Sequence, residues 1–267
     1  MKQEALKDKH VLFIGGCGGI GKPTVVKLLL EGAKVSITSP VIGKLTDEAK
    51  GLFENTIKEN GFGDFHIIEA DITKESDLTR QVKEAQSKFG NIDHLVIMAG
   101  VSHLGKMLDV TREEWDLIMD VNAWGVFRTI QESYKHLEKG ANIVVVGSDV
   151  GLGKPSHDIP LYSVSKATLH SILQLLSQEL PEYGISVSGI APYNTPPGMK
   201  RVYQQVKERL LCEPEDCETP DWGNLPPTGK FIEGNSLAEL VSFLLKTSGD
   251  FNGSIIPVTG GYGYTVS

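Results

Sequence analysis

Cysteine is scarce: Cys17, Cys212 and Cys217 are the only three in 267 residues. An odd count at those spacings offers no disulfide framework and points to a reducing compartment, so cytoplasmic placement is the expectation. Cys212 and Cys217 have no second Cys or His pair beside them, and no metal site is expected. Positive charge is also short. Lys and Arg number 26 against 34 Asp and Glu, for a net charge of −8. That balance argues against a nucleic-acid partner or an anionic membrane surface held by bulk electrostatics. It fits local capture of a small-molecule substrate. Long apolar runs are missing too. None approaches the roughly 20 residues a spanning helix needs, and residues 1–10 are charged, with no signal-peptide core.

What is present is ordinary globular material, with 40% hydrophobic and 22% charged residues, enough for a sizeable core. Apolar runs at 11–14, 33–38, 65–70, 92–98, 142–146, 185–191 and 254–258 read as seven strands. Helical periodicity lies between them at 24–31, 45–60, 75–89, 112–137, 163–180 and 237–246. Regular strand–helix alternation predicts an α/β fold, a doubly wound parallel sheet covered on both faces. No repeat or linker interrupts it, so one domain is expected over 1–267. The stretch 193–232 breaks the rhythm, with Pro, Gly, Trp and charge and one helical piece at 199–211. It follows a strand's carboxyl end, where ligands of such sheets bind, and reads as a substrate lid carrying Tyr193, Tyr203, Trp222 and Phe231.

Two motifs carry chemistry. The run Gly15-Gly16-Cys17-Gly18-Gly19-Ile20-Gly21 sits between the first strand and the first helix. Glycines there let backbone N–H groups approach a pyrophosphate, and the helix N-terminus favours an anion. Tyr162 and Lys166 are four residues apart at the start of a helical pattern. Such a pair shares a face, and a nearby cation lowers a phenol's pKa. A tyrosine so placed can exchange a proton with an alcohol or carbonyl. At the end of the second strand, Ser39-Pro40 stands where such folds usually carry a carboxylate for the adenosine ribose. Lys44 just beyond is either a contact for a 2′-phosphate or a solvated residue of a helix start.

Together these residues resemble the short-chain dehydrogenase/reductase family, from about residue 9 to 262. The quoted matches are Gly15, Gly19, Ile20 and Gly21 in the cofactor loop, Asp71-Ile72, Asn122 within Val121-Asn122-Ala123, Tyr162 with Lys166, and Gly260-Gly261-Tyr262. The resemblance implies a single-domain Rossmann fold of about seven strands and NAD(P)-dependent hydride transfer between a carbonyl and an alcohol. It assigns Tyr162 as proton donor or acceptor. Lys166 would lower its pKa and bind the nicotinamide ribose, and Asn122 would hold a water in a relay. Cofactor contacts are expected at Gly15, Cys17, Gly19, Ile20, Gly21, Ser39, Asp71, Ile72, Ala99, Gly100, Tyr162, Lys166, Pro192 and Thr195. A homo-oligomer, dimer or tetramer, through helices 112–137 and 163–180 is also implied.

The chain departs from the pattern at several points. Ile97-Met98-Ala99-Gly100 replaces Asn-Asn-Ala-Gly, and Pro192-Tyr193 replaces Pro-Gly. The usual serine position, thirteen residues before the tyrosine, is Asp149, with Ser148 beside it. Either Ser148 orients the substrate oxygen, or Asp149 faces the substrate, or Asp149 caps the turn. The leading expectation is a reductase or dehydrogenase using NADP(H) in preference to NAD(H). The alternatives are an isomerase, cyclase or imine reductase using Asp149, and a non-catalytic regulatory protein. Met98, His103, His157, Tyr193 and Trp222 are candidate pocket residues.

Overall fold

The computed structural model describes residues 6–195 and 225–263. Seven strands form one sheet in the order β3-β2-β1-β4-β5-β6-β7. They are β1 His10–Ile14, β2 Lys34–Ser39, β3 Asp64–Glu69, β4 His94–Ile97, β5 Asn142–Val146, β6 Ser186–Pro192 and β7 Ile255–Val258. Every pairing is parallel. The central strands are buried end to end, which is why β1, β4 and β5 read as unbroken apolar runs rather than alternating ones. Pro257, which has no N–H to give a ladder, lies in the edge strand β7.

Helices cover both faces: α1 Gly21–Leu30, α2 Lys44–Asn60, α3 Glu75–Phe89, α4 Arg112–Met119, α5 Gly125–Ser133, α6 Pro160–Glu179 and α7 Gly234–Leu245. One apolar cluster joins α1, α2 and α7 to Val11, Phe13, Val35 and Ile37 of the sheet. The other joins α3, α5 and α6 to Leu12, Ile14, Leu95 and Ile143. Adjacent residues of β1 therefore feed opposite layers, as a strand's alternation requires. On the first face a buried carboxylate ties two distant helices. Glu31 accepts from the Ser242 hydroxyl at 2.6 Å and from the Lys246 amine at 3.0 Å, so the end of α1 is pinned to α7.

The sequence predicts one helix over 112–137, and the structure divides it. A π turn, Asp120–Trp124, separates α4 from α5, and a short 3₁₀ turn, Tyr134–His136, ends the segment. Apolar periodicity runs through all three pieces, and it does not register a single wide turn. Of the expected 193–232 lid, residues 196–224 lie outside the described residues. They include the helical piece at 199–211, Tyr203, Cys212, Cys217 and Trp222.

Candidate active site

Strand order reverses between β1 and β4, and the crevice of a doubly wound sheet opens at that point, beyond the strands' carboxyl ends. A cleft of about 830 Å³ lies there. Its walls at one end are Gly15, Gly18, Gly19, Ile20 and Gly21, with Ala99 and Gly100 opposite, and at the other Ser148, Asp149, Tyr162 and Lys166. Pro192, Tyr193 and Thr195 from the end of β6 close the side.

The glycine end is shaped by what cannot fit. Gly15 has φ +84, and a Cβ there would stand 2.9 Å from the Ala99 nitrogen. A Cβ on Gly21 would stand 2.4 Å from the Gly15 carbonyl oxygen. These two positions pull the loop tight across the β1–β4 boundary. No side chain caps the start of α1, and no acidic residue lies in its first turn. The positive end of the helix is therefore left for an anionic guest. A dinucleotide's pyrophosphate fits this cradle.

The other end is made of side chains. Pro160 begins α6, a position its fixed φ suits. Tyr162, Lys166 and His170 then fall one turn apart on one stripe. The Lys166 amine is 2% exposed, donates to the Val146 carbonyl at 3.3 Å and lies 5.5 Å from the centroid of the Tyr162 ring. Burial pushes that amine down to about 8. Burial also pushes the Tyr162 phenol up to about 12; the Ser148 hydroxyl, within hydrogen-bonding reach, pulls the other way, and the Asp149 carboxylate adds to the rise. The expectation that Lys166 lowers the phenol's pKa is not met: burial sets the direction and the Asp149 carboxylate reinforces it. Tyr162 in this site holds its proton through the neutral range.

Ser148 and Asp149 both line the cleft. The Ser148 hydroxyl donates to Asp149 Oδ1 at 3.2 Å. Asp149 begins a short 3₁₀ turn, Asp149–Gly151, and its carboxyl is raised by burial against the pull of Ser148 and of the backbone N–H groups of Val150 and Asp149. Asp149 thus accepts N–H groups of the turn while lining the cleft, and the Ser148 hydroxyl lies within reach of both Asp149 and Tyr162.

Asn122 sits in the π turn, fully buried. Its amide donates to the Val101 carbonyl at 2.8 Å and to the Ser165 hydroxyl at 3.0 Å, and its Oδ1 accepts from the Val101 N–H at 2.8 Å. The side chain is fully engaged in holding the loop after β4 against α6. Gly100 is squeezed into the same junction: a Cβ on it would lie 3.3 Å from Asn122 Oδ1 and 3.4 Å from the Lys166 amine.

Four of the expected cofactor contacts lie outside the cleft lining. The Cys17 thiol is packed in the core, where burial pushes it up to about 11. Ser39 donates to the Val41 carbonyl at 3.0 Å at the end of β2. Asp71 takes the Thr73 N–H at 3.0 Å and the Thr73 hydroxyl at 2.7 Å, ahead of α3. Ile72 belongs to the second apolar cluster. Of the candidate pocket residues, Met98, His157 and Tyr193 line the cleft, and Tyr193 stacks on Tyr262 at 4.1 Å between centroids. His103 is buried behind it, 3.2 Å from Glu114.

One residue was missed by the sequence reading. His170 is 5% exposed beneath the turn after β5, where the Ser148 N–H lies 3.5 Å from its Nε2. Burial pushes its imidazole down to about 4, against a favourable pull from the Gly151 backbone. A Cβ on Gly147 would come within 2.1 Å of Nε2, and one on Gly151 within 2.8 Å of the ring. The two glycines thus make room for the histidine that supports Ser148. Its place two turns beyond Tyr162 was the available signal.

A family model described as short chain dehydrogenase matches residues 9–208. The chain is 29% identical over 263 residues to tetrahydroxynaphthalene reductase of Pyricularia oryzae, covering 96% of this chain and 90% of that protein. It is 28% identical over 263 residues to trihydroxynaphthalene reductase of Colletotrichum orbiculare, with the same coverage. A solved short-chain dehydrogenase from Burkholderia cenocepacia, in complex with NADP, superposes with a TM-score of 0.81 at 27% identity, over 96% of this chain and 98% of that one.

Proposed function

The chain belongs to the short-chain dehydrogenase family and is an NAD(P)-dependent oxidoreductase; from that premise we propose that it reduces a carbonyl to an alcohol on a small organic substrate, with Tyr162 as the acid. The observation that carries this reading is the phenol itself: protonated through the neutral range, within reach of Ser148, and facing the same cleft as the glycine cradle. Reduction adds a hydride to the carbonyl carbon and a proton to its oxygen. The nicotinamide, when bound, supplies the hydride. Tyr162 gives its hydroxyl proton to the oxygen as negative charge develops there. Ser148 sets the phenol's position. Lys166, anchored on Val146, places a cation beside the ring and reaches the cofactor side of the cleft. Asn122 holds Val101 and Ser165 in place, and with them the floor between the two ends. Consumption of NADPH with a carbonyl panel tests the reading. Turnover of a carbonyl by the natural chain and its loss in Tyr162→Phe are the expected results; a Tyr162→Phe variant as fast as the natural chain would sink it.

The preferred cofactor is NADP(H). The carboxylate that would bind a free ribose hydroxyl and repel a 2′-phosphate is absent at Ser39-Pro40. Lys44, at the first position of α2, has no ion-pair partner among the described residues. Titration calorimetry with both cofactors decides it, and tighter binding of NADH refutes it. Self-assembly through α4, α5 and α6 completes the proposal. Leu117, Trp124 and Leu175 are 56%, 53% and 62% exposed there, more apolar surface than a free helix face favours. Light scattering on the eluted protein gives the mass.

A further inference from the structure

We infer that Asp149 is a specificity determinant: it selects substrates that carry a neutral hydroxyl beside the carbonyl to be reduced. The inference rests on the reductase reading above and adds the substrate class. Asp149 lines the reaction cleft, half-buried, and among the described residues no cation pairs with it. A carboxylate drawn out of water calls for charge or hydrogen-bond partners. The protein supplies three N–H or O–H groups on the side of the turn, from Ser148, Val150 and Asp149 itself. An ionised carboxyl has about four acceptor sites, which leaves capacity on its open side for a donor from the substrate.

Proton counting on Ser148 points the same way. A serine hydroxyl has one hydrogen, and here Asp149 Oδ1 and the Tyr162 oxygen both stand within its reach. Given to either, that hydrogen is not available to the substrate's carbonyl oxygen, which is left to the Tyr162 hydroxyl. Ser148 and Asp149 together turn lone pairs toward the cleft. A plain ketone offers them nothing, whereas a ketone with an adjacent hydroxyl offers its O–H to Asp149 while its carbonyl meets Tyr162. A neutral hydroxyl fits better than an ammonium, because the Lys166 amine lines the same cleft and would repel a second cation while charged.

The test uses acetophenone, α-hydroxyacetophenone and α-aminoacetophenone with NADPH. The expected result is a kcat/KM for the hydroxy ketone roughly 10–100-fold above that of acetophenone, the range of a hydrogen bond to a charged group. The amino ketone should fall below the hydroxy ketone. In Asp149→Ala the hydroxy-to-plain ratio should fall close to one, whatever happens to the absolute rates. Asp149→Asn, which keeps an oxygen for the turn, should lower the ratio in part and guards against a folding defect. A natural-chain ratio near one, a preference for the amino ketone, or a ratio unchanged in both variants would overturn the inference. If none of the three is reduced, the reductase reading is decided separately by the wider carbonyl panel, and calorimetric titration of the enzyme–NADP complex decides the inference. Tighter binding of the hydroxy ketone, lost in Asp149→Ala, upholds it; equal or absent binding of the two ketones overturns it.

Discussion

At the β1–α1 end of the cleft the protein offers backbone, and at the β5–α6 end it offers side chains. Gly15 and Gly21 work by having no Cβ, so that the loop can close to within 2.4–2.9 Å of positions a methyl would occupy. Tyr162, Lys166, Ser148 and Asp149 work by the atoms they carry. The two ends therefore fail in opposite directions: adding an atom breaks the first, and deleting one breaks the second. Their electrostatics differ in the same sense. The cradle is a helix terminus that costs nothing to keep polar, since it faces the cleft. The chemical end consists of groups taken out of water, and each titrates away from its ordinary range.

That contrast can be tested by deletion at one end and addition at the other. Tyr162→Phe should lower turnover by ~10²–10⁴, the usual worth of a positioned acid, while NADPH affinity measured by calorimetry stays put. Gly21→Ala should do the reverse. Overpacking of this kind costs ~1–3 kcal/mol, so NADPH binding should weaken by roughly 10–100-fold while the environment of Tyr162 is untouched. Equal loss of affinity in both variants would show that the ends are not separable.

A pH profile sharpens the same point. Lys166 titrates at about 8 in the protein, below its ordinary value, so it is charged below that pH and neutral above. Tyr162 keeps its proton to about 12. The kcat/KM for reduction, which reports the free enzyme, should hold through neutrality and decline tenfold per pH unit at most above about pH 8. A descending limb near 10 would show that burial leaves Lys166 unshifted. The smallest effect is expected at His170, which touches no substrate. Removing its support for the Ser148 turn forfeits one hydrogen bond, worth about 1 kcal/mol. His170→Ala should then cost up to roughly tenfold in kcat with NADPH affinity kept, and His170→Gln, which retains an acceptor, should recover part of it.

The parallel sheet was legible in the sequence because its central strands β1, β4 and β5 are buried on both faces and read as solid apolar runs. Asn142–Val146 is one such strand, and its bounds match residue for residue. The cradle was legible because glycine spacing after a strand has a direct steric meaning. The π turn at Asn122 was not, since the apolar pattern of the flanking helices does not mark where a single wide turn falls. The sign of the Tyr162 shift was also out of reach. Sequence places a lysine beside a phenol but does not say that both are desolvated, and the balance between attraction and burial is a property of the assembled site. Cys17 shows the same limit: a residue inside the cofactor loop by order, its thiol turns into the core. Ser148 and Asp149 were adjacent candidates, and only the path of the turn over His170 shows that both line the cleft.

The pin between α1 and α7 bears on how the molecule is made. Leu237, Val241, Leu244 and Leu245 belong to the same apolar cluster as Val25, Leu28 and Leu29, and Glu31, paired with Lys27 of its own helix at 3.3 Å, gains two further partners at Ser242 and Lys246. A ribosome delivers the glycine cradle well before α7. During that interval α1 carries a bare apolar face, and Glu31 has Lys27 beside it but lacks Ser242 and Lys246, more than two hundred residues further on. Contacts of such long separation close slowly, and exposed apolar surface is where nascent chains aggregate. The α1 face is thus sealed only after α7 emerges, and until then it is open to wrong partners.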